Sequence, residues 1–230
     1  VLCSFQFVYQ FKRAQIDPTL VLFTTVALYG FIRHLLLGPN WRWFYLGCFF
    51  VGLGIITKGV GFLPLFIFIP YLALRFLKAE GLTDQTSSGA FRWSMGLFFL
   101  LAAMAIWLLP LLWTVLEGNS PEQHLYLNNI LFRQTAERYA NPWGHYEPFW
   151  YFAEVVLVFW LPFSLAFFWL WKPWLQSFRL KDAKVLLPLV WAILVVFFFS
   201  LSSGKRDMYI LPALPGFALV AAPFMQTISR

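Results

Sequence analysis

Charge is scarce in this chain. Asp, Glu, Lys and Arg make up 12% of its 230 residues, against 60% hydrophobic, and the mean hydropathy is +0.70. A water-soluble domain of this size has too little interior to hide that much apolar surface, so soluble folds are excluded and lipid is called for as the solvent. Cysteine is nearly absent. Cys3 and Cys48 each lie inside an apolar run and read as small buried hydrophobes, which rules out a disulfide scaffold or a cysteine metal site. No Gly-rich phosphate loop, helical zinc-ligand spacing or serine nucleophile elbow is found. Also missing is an ionisable side chain near the middle of an apolar run; Glu154 comes nearest, about one turn in. Proton relays and ion pathways use such residues, so their absence counts against a pump or transporter.

What is present is a series of apolar runs separated by short polar breaks. Pro18–Leu37, Trp41–Ile56, Val60–Leu77, Trp93–Leu116, Phe149–Trp171, Val185–Ser202 and Met208–Met225 each read as a membrane span. Asp17-Pro18 suits the cap and first turn of the first span, Trp41–Ile56 is short, and Pro64 and Pro70 are expected to kink the third. Val1–Tyr9 reads as the tail of a helix begun earlier. With no initiator Met and no signal-peptide pattern, the chain reads as an excerpt of a longer protein. Lys78–Phe91 is a polar connector and Lys172–Lys184 a basic loop. Glu117–Glu147 is the one long loop, with an interfacial helix expected over Pro121–Tyr139. The expected fold is all-α: a polytopic transmembrane bundle of about seven spans, forming one partial domain over residues 1–230 with loop 117–147 inside it.

Alternation sorts the charges. Arg33, Arg42, Arg75, Lys78, Arg92, Lys172, Arg179, Lys181, Lys184 and Arg230 fall on one face with Glu80, Asp84 and Asp182, which carries the whole net charge of +7. Lys12, Arg13, Lys58, Arg133, Arg138, Lys205 and Arg206 fall on the other, balanced by Asp17, Glu117, Glu122, Glu137, Glu147, Glu154 and Asp207. The positive-inside rule puts the first face in the cytoplasm and the long loop outside. Topology therefore accounts for a charge that would otherwise suggest nucleic acid. Trp41, Trp43, Trp93, Trp171 and Trp174 bracket one boundary and Trp113, Trp143, Trp150 and Tyr151 the other, as in an aromatic belt. The breaks Gln10–Asp17, Thr57–Gly59, Glu117–Glu147 and Ser202–Asp207 thus gather on the outer face, where a membrane-embedded site would form.

Lys205 and Arg206 are adjacent cations on the face where topology disfavours them. A phosphate would explain them, Arg offering a fork and Lys a point charge; snorkelling at a helix end is the alternative. Thr57-Lys58-Gly59 is a tight turn that puts Lys58 at the level of lipid phosphates. Asp17 either assists proton transfer or caps its helix. In the long loop, Arg133 and Glu137 stand four apart, on one face of a helix, and are followed by Tyr139 and His145. An interfacial helix with an aromatic anchor explains the same residues.

Three segments carry a resemblance: Ile56-Thr57-Lys58-Gly59; Glu137–His145 with Pro148-Phe149-Trp150-Tyr151; and Ser203–Pro215. Together they resemble bacterial polyprenyl-phosphate-dependent GT-C glycosyltransferases, of the aminoarabinose transferase (ArnT-like) branch related to protein O-mannosyltransferases, from Asp17 to about Pro223. The resemblance implies a GT-C fold in a bacterial inner membrane, with its active face in the periplasm. It implies transfer of a sugar from a polyprenyl-phosphate donor, such as undecaprenyl phosphate, to lipid A, another envelope glycan or a protein. It places the principal catalytic acids in a loop upstream of Val1 and makes Asp17 an auxiliary acid. Lys58, Arg133, Lys205 and Arg206 become grips for the lipid phosphate, and Glu137, Tyr139 and His145 further substrate contacts. No cofactor is implied, and a divalent metal requirement stays open. The alternative reading is a transporter or flippase for polyprenyl-linked or other lipids, with a non-catalytic scaffold as a third.

Overall fold

Apolar runs of this length become helices because lipid offers the backbone no hydrogen-bonding partner. The computed structural model describes residue 2 and residues 4–83, 89–118, 125, 129, 146–202 and 204–224, and it shows no strand among them. The helices are α1 (Phe5–Phe11), α2 (Asp17–Leu36), α3 (Trp41–Thr57), α4 (Phe68–Phe76), α5 (Ala90–Gly118), α6 (Tyr151–Phe159), α7 (Phe167–Arg179), α8 (Ala183–Leu201) and α9 (Leu214–Ala221). Segments of 3-10 helix at Gly59–Ile67, Phe163–Ala166 and Asp207–Ala213 lead directly into α4, α7 and α9.

Among the described residues, five stretches are long and apolar enough to cross a bilayer: Asp17–Leu36, Gly59–Phe76, Ala90–Val115, Ala183–Leu201 and Asp207–Phe224. The short second span is present as α3, whose 17 residues reach about 25 Å. The expected span Phe149–Trp171 is corrected. Tyr151–Phe159 and Phe163–Arg179 meet at 101° instead of forming one rod. Pro162 stands at the break, where a proline cannot continue a helix and disfavours helical geometry in the residue before it. The expected kink at Pro64 is instead a stretch of 3-10 helix, tighter than the α-helix that follows. The start of the chain also differs from expectation. Ser4 is extended (φ −70°, ψ 139°) and α1 is a separate short helix, not the tail of an earlier one.

α2 packs on α3, α3 on α5, and α8 on α4, α9 and the two 3-10 segments beside them. Phe31, Leu35, Leu63, Ile67, Trp191, Leu211 and Leu214 are fully buried where these meet. The Trp191 indole N–H donates to the Leu63 carbonyl at 2.9 Å, satisfying a polar group that has no water to turn to. In lipid such close packing and internal hydrogen bonds hold helices together, since burial against acyl chains adds little.

Alternation holds at the basic end. The Glu80 N–H donates to the Lys181 carbonyl (3.1 Å) and the Ala183 N–H to the Glu80 carbonyl (2.9 Å). The Thr83 N–H donates to the Leu35 carbonyl at 2.9 Å, and the Gly38 N–H to Thr83 Oγ1 at 3.0 Å. These links join the C-terminal ends of α2, α4 and α7 and the start of α8.

Candidate functional site

At the opposite end the links are made by side chains. Lys58 is a single extended residue (φ −156°, ψ 123°) between α3 and the 3-10 segment that follows. The turn is tight because Gly54 and Gly61 touch. A Cβ on Gly61 would stand 1.9 Å from the Gly54 carbonyl carbon, so Gly61 can bear no side chain there, while a Cβ on Gly54 would be tight at 3.2 Å from the Gly61 Cα. Lys58 Nζ reaches Asp17 Oδ1 at 2.7 Å and lies 5.0 Å from the centre of the Tyr209 ring. The side chains of Asp17 and Lys58 are 7% and 23% exposed, so the pair is shielded enough to matter energetically.

Asp17 does not cap its helix. It is the first residue of α2, the preceding Ile16 supplies no side-chain cap, and the carboxylate turns to Lys58. Its charge still favours a helix N-terminus, where it complements the dipole.

Lys205 is buried, and its ammonium donates to the Glu147 carbonyl at 2.8 Å. Gly204 pairs with Tyr146 in an antiparallel bridge, so the last residues of the long loop are tied to this turn. Arg206 is half-buried and extended, and Asp207 opens the 3-10 segment that carries Tyr209. Lys12 and Arg13 stay exposed, and Arg13 folds back to donate to the Tyr9 hydroxyl, its guanidinium 3.9 Å above that ring.

Lys58 and Asp17 pair, and Tyr209 ties them to the turn that carries Lys205 and Arg206, so all four lie at one end of the bundle, as alternation requires. Arg133, Glu137, Tyr139 and His145, with most of loop 117–147, lie outside the described residues. Glu117 and Gly118 extend α5 instead of starting a loop. Among the described residues no group of three or more His, Cys, Asp or Glu side chains is placed to hold a metal.

Sequence reasoning missed Gln6 and Gln10, both buried. Gln6 Nε2 donates to the Asp207 carbonyl at 2.5 Å, and Gln10 Nε2 to Asp207 Oδ2 at 3.2 Å. Two amides one helical turn apart in an apolar run were the available signal, because polar groups in such runs seldom go unpartnered. Tyr209 was also missed as a contact of Lys58; nothing in its position in the sequence points to that pairing.

The fold defines a class: an all-α, multi-pass membrane protein of GT-C type. It matches the crystal structure of ArnT from Cupriavidus metallidurans bound to undecaprenyl phosphate with a TM-score of 0.71 at 20% identity, over 96% of this chain and 38% of that one. The apo structure of the same protein matches with a TM-score of 0.62 at 24% identity, over 91% and 35%. The chain belongs to the dolichyl-phosphate-mannose-protein mannosyltransferase family, which matches residues 1–119. It is 27% identical over 218 residues to the undecaprenyl phosphate-alpha-4-amino-4-deoxy-L-arabinose arabinosyl transferase 1 of Proteus mirabilis, over 93% of this chain and 36% of that one. It is 28% identical over 219 residues to the corresponding transferase of Pseudomonas aeruginosa, over 90% and 36%. The chain thus spans little more than a third of the length of these relatives. The resemblance to ArnT-like proteins is borne out, and the relatives extend it across nearly the whole chain.

Proposed function

We propose that this chain is part of a membrane glycosyltransferase that takes a sugar from a polyprenyl-phosphate donor, undecaprenyl phosphate being the carrier. The acceptor is lipid A, another envelope glycan or a protein, reached at the periplasmic face of the bacterial inner membrane. The observation that supports this reading is that Lys58, from one short connection, lies 5.0 Å from the Tyr209 ring, three residues beyond Arg206 in another, at one end of an otherwise apolar bundle. Departure of the sugar leaves negative charge on the prenyl phosphate, and fixed cations stabilise that charge most where water is sparse. Lys58, oriented by Asp17, supplies one cation, and Arg206 a fork suited to phosphate oxygens. Lys205 joins them by exchanging the Glu147 carbonyl for a phosphate oxygen. Arg133, Glu137, Tyr139 and His145 complete the substrate contacts from the long loop. Asp17 serves as auxiliary acid or base, with the principal acid upstream of Val1.

The test is sugar transfer by the full-length protein in membranes. Alanine at both Lys205 and Arg206 is expected to abolish transfer while the protein is made and inserted normally. Undiminished transfer overturns the assignment. Labelling of single cysteines at positions 58 and 206 from the outside of intact inner-membrane vesicles checks the orientation. Labelling of the two from opposite compartments defeats the shared site, whatever the chemistry.

A further inference from the structure

α1 is amphipathic in the inverted sense. Phe5, Val8, Tyr9 and Phe11 face outward, and Gln6 and Gln10 are buried. Two carboxamides inside an apolar bundle are strongly unfavourable unless hydrogen-bonded. Their bonds converge on Asp207. Gln6 Nε2 holds its main-chain carbonyl at 2.5 Å, while Gln6 Oε1 accepts the Trp160 indole N–H at 2.5 Å. Gln10 Nε2 holds the carboxylate itself at 3.2 Å. The Phe5 N–H donates to the Leu161 carbonyl at 2.9 Å, so α1 is also anchored at the bend after α6.

Asp207 directly follows Lys205 and Arg206. Arg206 is extended (φ −134°, ψ 143°), and its carbonyl accepts the Tyr209 N–H at 3.0 Å. The turn is held before Arg206 by the Lys205 ammonium on the Glu147 carbonyl and by the Gly204–Tyr146 bridge, and after it by the grip on Asp207. The chemistry of that grip is apt. A lysine or arginine in place of Gln10 would neutralise Asp207 and add a competing cation. An amide holds the carboxylate without charge and leaves the local field to Lys205 and Arg206.

We propose that Gln6 and Gln10 are positioning residues for the anion site. They hold Asp207, and through it set how Lys205 and Arg206 meet a prenyl-phosphate headgroup. The proposal rests on the donor reading above.

The experiment measures binding of undecaprenyl phosphate and of uncharged undecaprenol to the purified full-length protein. Gln10→Ala is expected to weaken undecaprenyl phosphate binding about tenfold, the scale of one hydrogen bond to a charged group. Undecaprenol binding stays within about twofold, since only the headgroup contact is disturbed. In an Asp207→Ala background, Gln10→Ala adds less than about twofold, because its route to the site is already gone. If Gln10→Ala does not fold, Gln10→Met, which keeps the length and loses the donor, is read in the same way. Equal loss for both lipids, or an undiminished effect in the Asp207→Ala background, overturns the proposal. So does undecaprenyl phosphate binding by Gln10→Ala equal to that of the unaltered protein. If the unaltered protein binds undecaprenol as well as its phosphate, the donor reading fails first.

Discussion

The two ends of the bundle are built differently. At the basic end, Glu80, Thr83, Leu35, Lys181 and Ala183 are joined mainly through main-chain N–H and carbonyl groups. At the other end, Lys58, Asp17, Gln6, Gln10, Lys205 and Asp207 are joined mainly through side chains. A main-chain link survives most substitutions, because every residue but proline carries the same groups. A side-chain link depends on the residue that makes it. The first end therefore closes the bundle, and the second is where changes of sequence become changes of chemistry.

That contrast can be broken most severely at the Gly54–Gly61 contact. Gly61→Val is expected to force the hairpin apart and cost about 3 kcal/mol, the upper part of the range for overpacking. It should be seen as a large fall in melting temperature in detergent, together with loss of the monodisperse species. Gly61→Ala should do the same to a lesser degree, and a melting temperature unchanged by either would show that the turn is looser than its geometry.

Asp17→Ala comes next. It leaves Lys58 half-buried without its carboxylate, and destabilisation of about 2 kcal/mol is expected, below the full cost of breaking a deeply buried pair because Lys58 is partly exposed. Lys58→Ala added to Asp17→Ala should restore some of that loss. A double variant as unstable as the two single losses summed would mean that the pair is not coupled. The smallest effect belongs to the basic end. Lys181→Ala removes the ammonium bond to the Leu77 carbonyl and leaves the main-chain links intact. It should shift stability by less than about 0.5 kcal/mol, with sugar transfer unchanged. A loss of transfer comparable to that of the Lys205 and Arg206 variants would erase the distinction between the ends.

Much of this was legible in the residues. Run lengths located the helices, and the parity of polar breaks predicted that Asp17, Lys58, Lys205 and Arg206 share an end. Other features were not legible. The bend between α6 and α7 needs more than Pro162, since Pro64, Pro70, Pro110, Pro173 and Pro188 all lie within continuous helical stretches. The Asp17 carboxylate had a local use as a cap, and only the arrival of Lys58 from another hairpin drew it away.

The amino-acid sequence by itself determined that the chain lives in lipid, where most of its long apolar helices run, and that the breaks carrying Asp17, Lys58, Lys205 and Arg206 lie at one end. Those follow from composition and from a bilayer's fixed thickness, and both act along the chain. The tertiary structure alone decided who pairs with whom: Asp17 with Lys58, Gln6 and Gln10 with Asp207, Lys205 with the Glu147 carbonyl. A hydrogen bond forms or fails over a few tenths of an ångström, and only packing of helices far apart in sequence sets that distance.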